Sequence, residues 1–413
     1  MEPRLTEAST GVRDWRDHAS FFLNLSRLCP EEVVPYRAQG QPAILINRPE
    51  HAVHVLSTAS ERYANPYHPY AELAGLYRPE GSYLLRLGHH ANHRSAYVHW
   101  LGQLVQSSRE AFHALAEHSR QGPVEVDRAI KELLLRVFAR TLLGVDVTEE
   151  TGPFVQAVTF IEECQANEIF ARGEDSEFIR LRHAQCLEAQ QRLVARILRD
   201  SPEVREAVAE EPARHELFST AIIRTLLNGY NAMATALSWT IHLLGQHPEA
   251  QQRIREESVA LGNEPATARD LPRLRFTRCV IQESMRLYPP AWMLGRRARI
   301  EDRIGGVPIL PGTSVSVSPY TLHRHPGVWE DPDAFRPERF ERAGAPAPGA
   351  YLPFGGGMRS CPAEHSVVGP LQLLTATLVR EHRLQPVPGL PVRPRGLVSL
   401  RPWPGIQVRL LPV

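Results

Sequence analysis

The chain has 413 residues, with 47 Lys+Arg against 46 Asp+Glu, so its formal net charge is +1. A charge this close to neutral argues against a protein that works mainly by gripping nucleic-acid phosphates. At 43% hydrophobic and 23% charged, the composition is that of a globular chain able to bury a large core.

The first residues, MEPRLTEAST, carry no apolar run and no basic stretch, so no signal peptide is expected. No segment approaches the roughly 18 apolar residues that span a bilayer. A soluble, cytoplasmic protein is the expectation. Residues 1–30 read as an N-terminal extension, and 1–413 as one domain without repeats. Strand-like runs follow at Pro42–Asn47 and Ala52–Leu56. Residues 100–260 read mostly as helix, with apolar residues three and four apart. The longest helical candidate runs from around His215 and stops before Pro248; roughly 30 residues would span about 45 Å. Short strands with turns are expected over 304–318, a turn-rich connector over 341–350, and strands at Gly396–Leu400 and Ile406–Leu411. The fold class is mainly α with a small β region.

Five cysteines (Cys29, Cys164, Cys186, Cys279, Cys361) are widely spaced with no C-x-x-C, which argues against a disulfide framework or a structural zinc site. Lys131 is the sole lysine. One cysteine stands out. It ends the run Phe354-Gly355-Gly356-Gly357-Met358-Arg359-Ser360-Cys361, followed by Pro362-Ala363. Glycines let a backbone turn tightly and lie close to a flat ligand. Pro362 marks a helix start, which puts Cys361 at a helix N-terminus, where the dipole favours a thiolate. Such a thiolate ligates a metal or attacks an electrophile. Arg359 can pair with a carboxylate.

This loop resembles the haem-thiolate loop of the cytochrome P-450 family, F-G-x-G-x-R-x-C. It departs at Ala363, where the family usually has Gly. Upstream, Glu283-Ser284-Met285-Arg286 and then Phe335-Arg336-Pro337-Glu338-Arg339-Phe340 stand in the family's order: E-x-x-R, P-x-R-F, cysteine loop. The resemblance covers the chain from about residue 30 to its end. It implies the cytochrome P-450 fold, with haem b (iron-protoporphyrin IX) between the long central helix and the Cys361 helix. Cys361 is then the iron ligand, with Phe354 and Arg359 beside the haem. Arg296 and either His93 or Arg94 hold its propionates. Glu283, Arg286 and Arg339 form a supporting charge network. Pro362 removes an N–H that could point at the sulfur; this makes the thiolate more electron-donating and lowers the iron's reduction potential.

The central helix departs from the family at the oxygen site. The usual L-L-A-G-x-D/E-T-T/S reads here Leu226-Leu227-Asn228-Gly229-Tyr230-Asn231-Ala232-Met233. Gly229 matches, but the acid is Asn231 and the alcohol is Ala232. Neither replacement supplies a proton. Two readings stay open. Either protons come from the substrate or from water held by Asn228, or the reaction is a coupling, desaturation or decarboxylation that needs less of this machinery. By resemblance, substrate contacts fall on Tyr67, His68, Tyr70 and Arg78, with Tyr63 and Tyr77 nearby, on Trp292 and Met293, and on Leu397. Aromatic rings with polar tips suit a large, partly polar ligand. The resemblance implies a monooxygenase or oxidase of natural-product biosynthesis, with electrons from a separate ferredoxin and its reductase. The rivals are a haem-based sensor and a haem-free cysteine-nucleophile enzyme.

Overall fold

A computed structural model describes residues 18–29, 32–38, 41–64, 94–170, 177–202, 204–205, 215–342, 346–361, 363–389 and 391–413. Part of the expected N-terminal extension is a helix, α1 (His18–Leu28), which packs Ala19, Phe22 and Leu25 against Val34, Tyr36 and Trp292. Strands β1 (Val33–Ala38) and β2 (Gln41–Ile46) form an antiparallel pair.

The segment Ala52–Leu56, expected as a strand, is helical instead. Pro49 opens α2 (Pro49–Val53), and a π-helical turn continues through His54–Thr58. Ala52, Val55 and Leu56 are three and four residues apart and all buried, so one helical face faces the core. The short strand β3 (Tyr63–Ala64) follows.

The helical middle comprises α3 (Arg94–Ser119), α4 (Val126–Leu143), α5 (Thr148–Phe170), α6 (Glu177–Asp200) and α7 (His215–Gln246), with a two-residue strand β4 (Val124–Glu125) entering α4. The central helix α7 spans the range read from the sequence. From Tyr230 to Gly245 every residue but Ala232 is buried. A helix apolar on all sides must be wrapped by others. Here Met233, Leu237, Trp239 and Leu244 share one core cluster with residues of α3, α4, α9 and α12 (ranges below). Trp239 stacks on Tyr288 at 3.8 Å between ring centres and donates its indole N–H to the Leu400 carbonyl.

Helices α8 (Pro248–Val259) and α9 (Arg275–Leu287) lead to β5 (Leu294–Ala298), the hairpin β6 (Asp302–Ile304) and β7 (Val307–Ile309), and β8 (Ser314–Val317). β8 pairs parallel to β2 across some 270 residues of sequence, giving a five-stranded sheet in the order β1-β2-β8-β5-β3. After α10 (Pro319–Leu322), α11 (Arg339–Arg342) and α12 (Glu364–Glu381), the tail forms β9 (His382–Pro386), β10 (Arg393–Gly396), β11 (Leu400–Trp403) and β12 (Gln407–Pro412). Residues 397–399, in the middle of an expected strand, are instead the turn between β10 and β11.

The charged centre of the structure is Glu283 with Arg286, both fully buried. The guanidinium forks onto the carboxylate at 2.7 and 2.8 Å. Its remaining donors reach the carbonyls of His323, Pro332 and Ala334, so all five N–H groups are used. Arg339 adds a third contact at 3.0 Å, and the Arg336 N–H a fourth. His323 extends the network. Its Nε2 accepts the Leu352 N–H at 2.7 Å, so Nδ1 carries the proton and donates to the Arg286 carbonyl.

Burial lowers the pKa of His323 from 6.5 to about 3, with Arg286 and Arg324 also disfavouring the cation. Unfolded, the ring protonates near 6.5; folded, it resists until about 3. The unfolded state therefore binds more protons in that window. The contribution of this group is complete above pH 6.5 and falls by about 1.4 kcal/mol per pH unit as the pH drops toward 3. Urea unfolding between pH 7 and pH 4 should show this slope diminished in His323→Gln.

Candidate functional site

The cysteine loop is closed by its own backbone. The Cys361 N–H donates to the Phe354 carbonyl at 2.8 Å, and the Ser360 N–H to Gly357 at 3.0 Å. Gly357 adopts φ +70°, and a Cβ there would lie 1.9 Å from the Leu56 carbonyl oxygen. No other residue fits, because the loop lies directly on the π-helical turn. Phe354 packs against the core cluster that holds Met233, Ala236 and Leu237 of α7. Met358 and Arg359 are exposed on the outer side, and Arg359 donates to the Tyr63 carbonyl at 3.1 Å.

Cys361 itself departs from the sequence reading. α12 begins three residues later, at Glu364. Burial pushes the thiol pKa up, the Ala363 N–H pulls it down, and the Glu364 carboxylate adds to the rise. The helix end alone therefore does not make a thiolate. A bound metal ion supplies the charge that does.

Arg296 on β5 is 7% exposed, and its one hydrogen bond among the described residues goes to the Gly295 carbonyl. Burial lowers its pKa to about 10, with Arg359 acting in the same direction. Two guanidiniums thus face a common region, and Arg296 has no carboxylate partner among the described residues. Across the core, Gly229 is exposed on α7, a Cβ built there meets nothing within 4 Å, and Ala232 one turn later is the one partly exposed position in the buried run. A lone half-buried thiol, an uncompensated cationic pair and open space beside Gly229 fit a flat, anionic, metal-bearing group. Haem has that chemistry.

The remaining expected site residues fall into three sets. Glu283, Arg286 and Arg339 are brought together as described. Trp292 and Leu397, expected to touch substrate, are packed away from it. Trp292 is 5% exposed among Phe22, Tyr36 and Leu400, its indole N–H donates to the Leu397 carbonyl at 2.7 Å, and the Leu397 side chain is 8% exposed. Met293 packs at the edge of the same cluster. Tyr63 is fully buried and donates to Asp302 at 2.7 Å. Tyr67, His68, Tyr70, Tyr77, Arg78 and His93 lie outside the described residues, as do the side chains of Arg94 and Asn228.

The sequence reading missed the partner of Asn231. Its Nδ2 donates to Glu162 Oε1 on α5 at 2.8 Å, while its buried Oδ1 has no partner among the described residues. Glu162 Oε2 faces Arg401 at 3.4 Å, Arg401 pairs with Asp127 at 2.8 Å, and Asp127 holds Lys131 at 3.0 Å. Burial alone would raise the Asp127 carboxyl, but Lys131 and Arg401 outweigh it and hold its pKa below the usual range. The sole lysine was the one available signal; nothing in the sequence tied it to residues 162 and 401.

The cytochrome P450 family model matches residues 176–408, more than half of the chain. The chain belongs to the cytochrome P-450 family. Cyclooctatin synthase of Streptomyces melanosporofaciens is 37% identical over 194 residues, covering 46% of this chain and 42% of that protein. Cyclooctat-9-en-7-ol 5-monooxygenase of the same organism is 40% identical over 172 residues, covering 41% and 37%. The matched stretches thus span less than half of either relative. Cytochrome P-450 132 of Mycobacterium tuberculosis is 26% identical over 93% of this chain and 91% of its own. Among solved structures, the haem domain of cytochrome P-450DA superposes with a TM-score of 0.80 at 18% identity, covering 100% of this chain and 96% of that one. The chain thus has the P-450 fold, mainly helical with small sheets. Among the described residues, no helix is long and apolar enough to cross a membrane.

The loop geometry has a direct test. Gly357→Ala should lower the haem-to-protein ratio of the purified chain by about tenfold or more, since left-handed strain of about 1–3 kcal/mol adds to a backbone clash. Gly356→Ala, whose Cβ would meet Leu352 and Leu56 at 3.6–3.7 Å, should lower it less.

Proposed function

We propose that the chain is a single-domain, cytoplasmic haem-thiolate oxidase that acts on a natural-product biosynthetic intermediate. The observation that carries this reading is the buried, carboxylate-free Arg296 beside Arg359, on the same side of the fold as the glycine-cradled Cys361. Cys361 holds the iron of haem b, and Arg296 and Arg359 hold its propionates, with His93 or Arg94 as a further holder. When bound, haem supplies reductive activation of dioxygen. The names of the two Streptomyces relatives support a substrate of the cyclooctatin kind or another natural product. Electrons come from a separate ferredoxin and its reductase. The outward Met358, 84% exposed, and the exposed Arg359 offer an apolar and cationic docking spot for an acidic carrier. Tyr67, His68, Tyr70 and Arg78 contact the substrate, with Met293 behind them.

On the oxygen side, Gly229 leaves room and Ala232 offers no hydroxyl. Asn231 cannot give up a proton, but it binds a carboxylate that can. Glu162 takes the place of the missing helix acid: Asn231 Nδ2 holds its Oε1, and the free Asn231 Oδ1 accepts a hydrogen bond from incoming water. Arg401 steadies the other oxygen. The second reading, coupling, desaturation or decarboxylation without oxygen insertion, is favoured by Ala232.

Product mass decides between the two. An added oxygen supports insertion; loss of two hydrogens or of carbon dioxide supports the second reading. Cys361→Ser should abolish the thiolate-type ferrous–carbon monoxide spectrum and turnover together. A parent chain that binds no haem overturns the proposal.

Glu162→Gln preserves shape and removes the titratable proton. Turnover should fall by about tenfold or more, with a larger solvent isotope effect and reductant consumption uncoupled from product, while the circular dichroism stays that of the parent.

A further inference from the structure

A second cluster of ligating side chains lies where α12 hands over to β9. Glu381 is the last residue of α12, and His382 is the first of β9. His113 reaches them from α3. Its Nε2 lies 3.1 Å from Glu381 Oε2, and its ring meets that of His382 edge-on at 5.5 Å. One ligand atom from each of the three residues falls within 4.8 Å of the other two.

The hydrogen bonding here is left open. His382 is 5% exposed, yet neither of its ring nitrogens has a partner among the described residues. Glu381 Oε2 is likewise buried without a donor aligned on it. Buried polar atoms are ordinarily satisfied, and a histidine with both nitrogens bare is an uncommon exception. The surroundings are otherwise well fixed. Arg109, one turn before His113, donates to Glu381 Oε1 at 2.7 Å and leaves Oε2 turned toward the two rings. The His382 backbone is pinned by its pairing with Pro412, and its carbonyl accepts from Arg255. The last carbonyls of α12 add negative potential at the same place.

We propose that His113, Glu381 and His382 bind a divalent zinc ion. Two imidazoles and one carboxylate are a zinc donor set, with the fourth position left to water. Burial and the nearby His113 lower the His382 pKa, which keeps the ring in the neutral form a metal requires. Tetrahedral zinc with bonds of about 2.0–2.2 Å holds its donor atoms about 3.3–3.5 Å apart, so the cluster must draw in slightly. His113, with its side chain 53% exposed, has the freedom to do so. The ion clamps α3 to the end of α12. α12 spans about 27 Å at 1.5 Å per residue, so the clamp sits far from Cys361, and the inference stands apart from the oxidase reading.

The experiment uses the full chain, free of any histidine tag and stripped with chelator, titrated with zinc chloride. Its 18 histidines make localisation necessary. The expected result is one zinc per chain, a melting temperature raised by several degrees, and a zinc-edge absorption spectrum of two imidazole nitrogens and one carboxylate oxygen. His113→Ala, a change on a half-exposed side chain, should weaken binding by at least about tenfold and remove the thermal shift. Glu381→Gln should do the same without removing an imidazole. No zinc bound at saturation overturns the proposal, and so does equal binding by parent and His113→Ala. Haem spectra read the oxidase site separately, so failure of one site is distinguishable from failure of the other.

Discussion

The Glu283 carboxylate is the constraint on which the cofactor side of the fold depends. A fully buried charge survives only if its attractions offset the lost hydration. Here one carboxylate binds two guanidiniums and a backbone N–H, and Arg286 passes the constraint on through three carbonyls. Those carbonyls belong to residues 323–334, a stretch with little regular structure of its own. Without internal ladders, that stretch takes its shape from the guanidinium. His323 then hands the order to Leu352, two residues before Phe354. The cysteine loop is therefore positioned by an ion pair some 75 residues upstream.

The second buried charge network works differently. Asp127, Lys131, Arg401 and Glu162 balance in formal charge, two of each sign, and join three segments distant in sequence. Burial disfavours the Lys131 cation, and Asp127 opposes it. The network ends on α7 at Asn231, the position where the sequence departs from its family. An aspartate at 231 would face Glu162 as a second carboxylate and be repelled. Asn231 and Glu162 are thus one arrangement: the amide suits the neighbour, and the neighbour supplies the charge that the amide lacks.

What the sequence revealed follows the range of the interactions involved. The 32-residue central helix was legible because apolar spacing and Pro248 are local signals. The cysteine loop and the order of the E-x-x-R and P-x-R-F segments were legible as a family resemblance. Ala52–Leu56 misled because five apolar-rich residues suit a strand as well as a helix, and the arbiter, Pro49, lay just upstream. Trp292 and Leu397 misled because position in a family does not fix which way a side chain turns; a single indole hydrogen bond turned both inward. Glu162, Arg401 and His382 were invisible, since each matters only through partners more than 65 residues away.

Charge accounting separates structural arginines from ligand-binding ones in this fold. Arg286 is fully buried and uses all its donors; nothing is left for a ligand. Arg401 is likewise taken up, by two carboxylates. Arg296 is almost as buried, yet among the described residues it has only a neighbouring carbonyl, and another arginine stands beside it. Folding alone gives no reason to bury a cation beside a second cation. A bound dianion gives one, and it would stabilise Arg296 where the protein does not. The bare nitrogens of His382 follow the same logic with the sign reversed, since lone pairs gathered without donors fit a cation. In both places the unmet electrostatic demand, more than any cavity, identifies the charge of the missing partner.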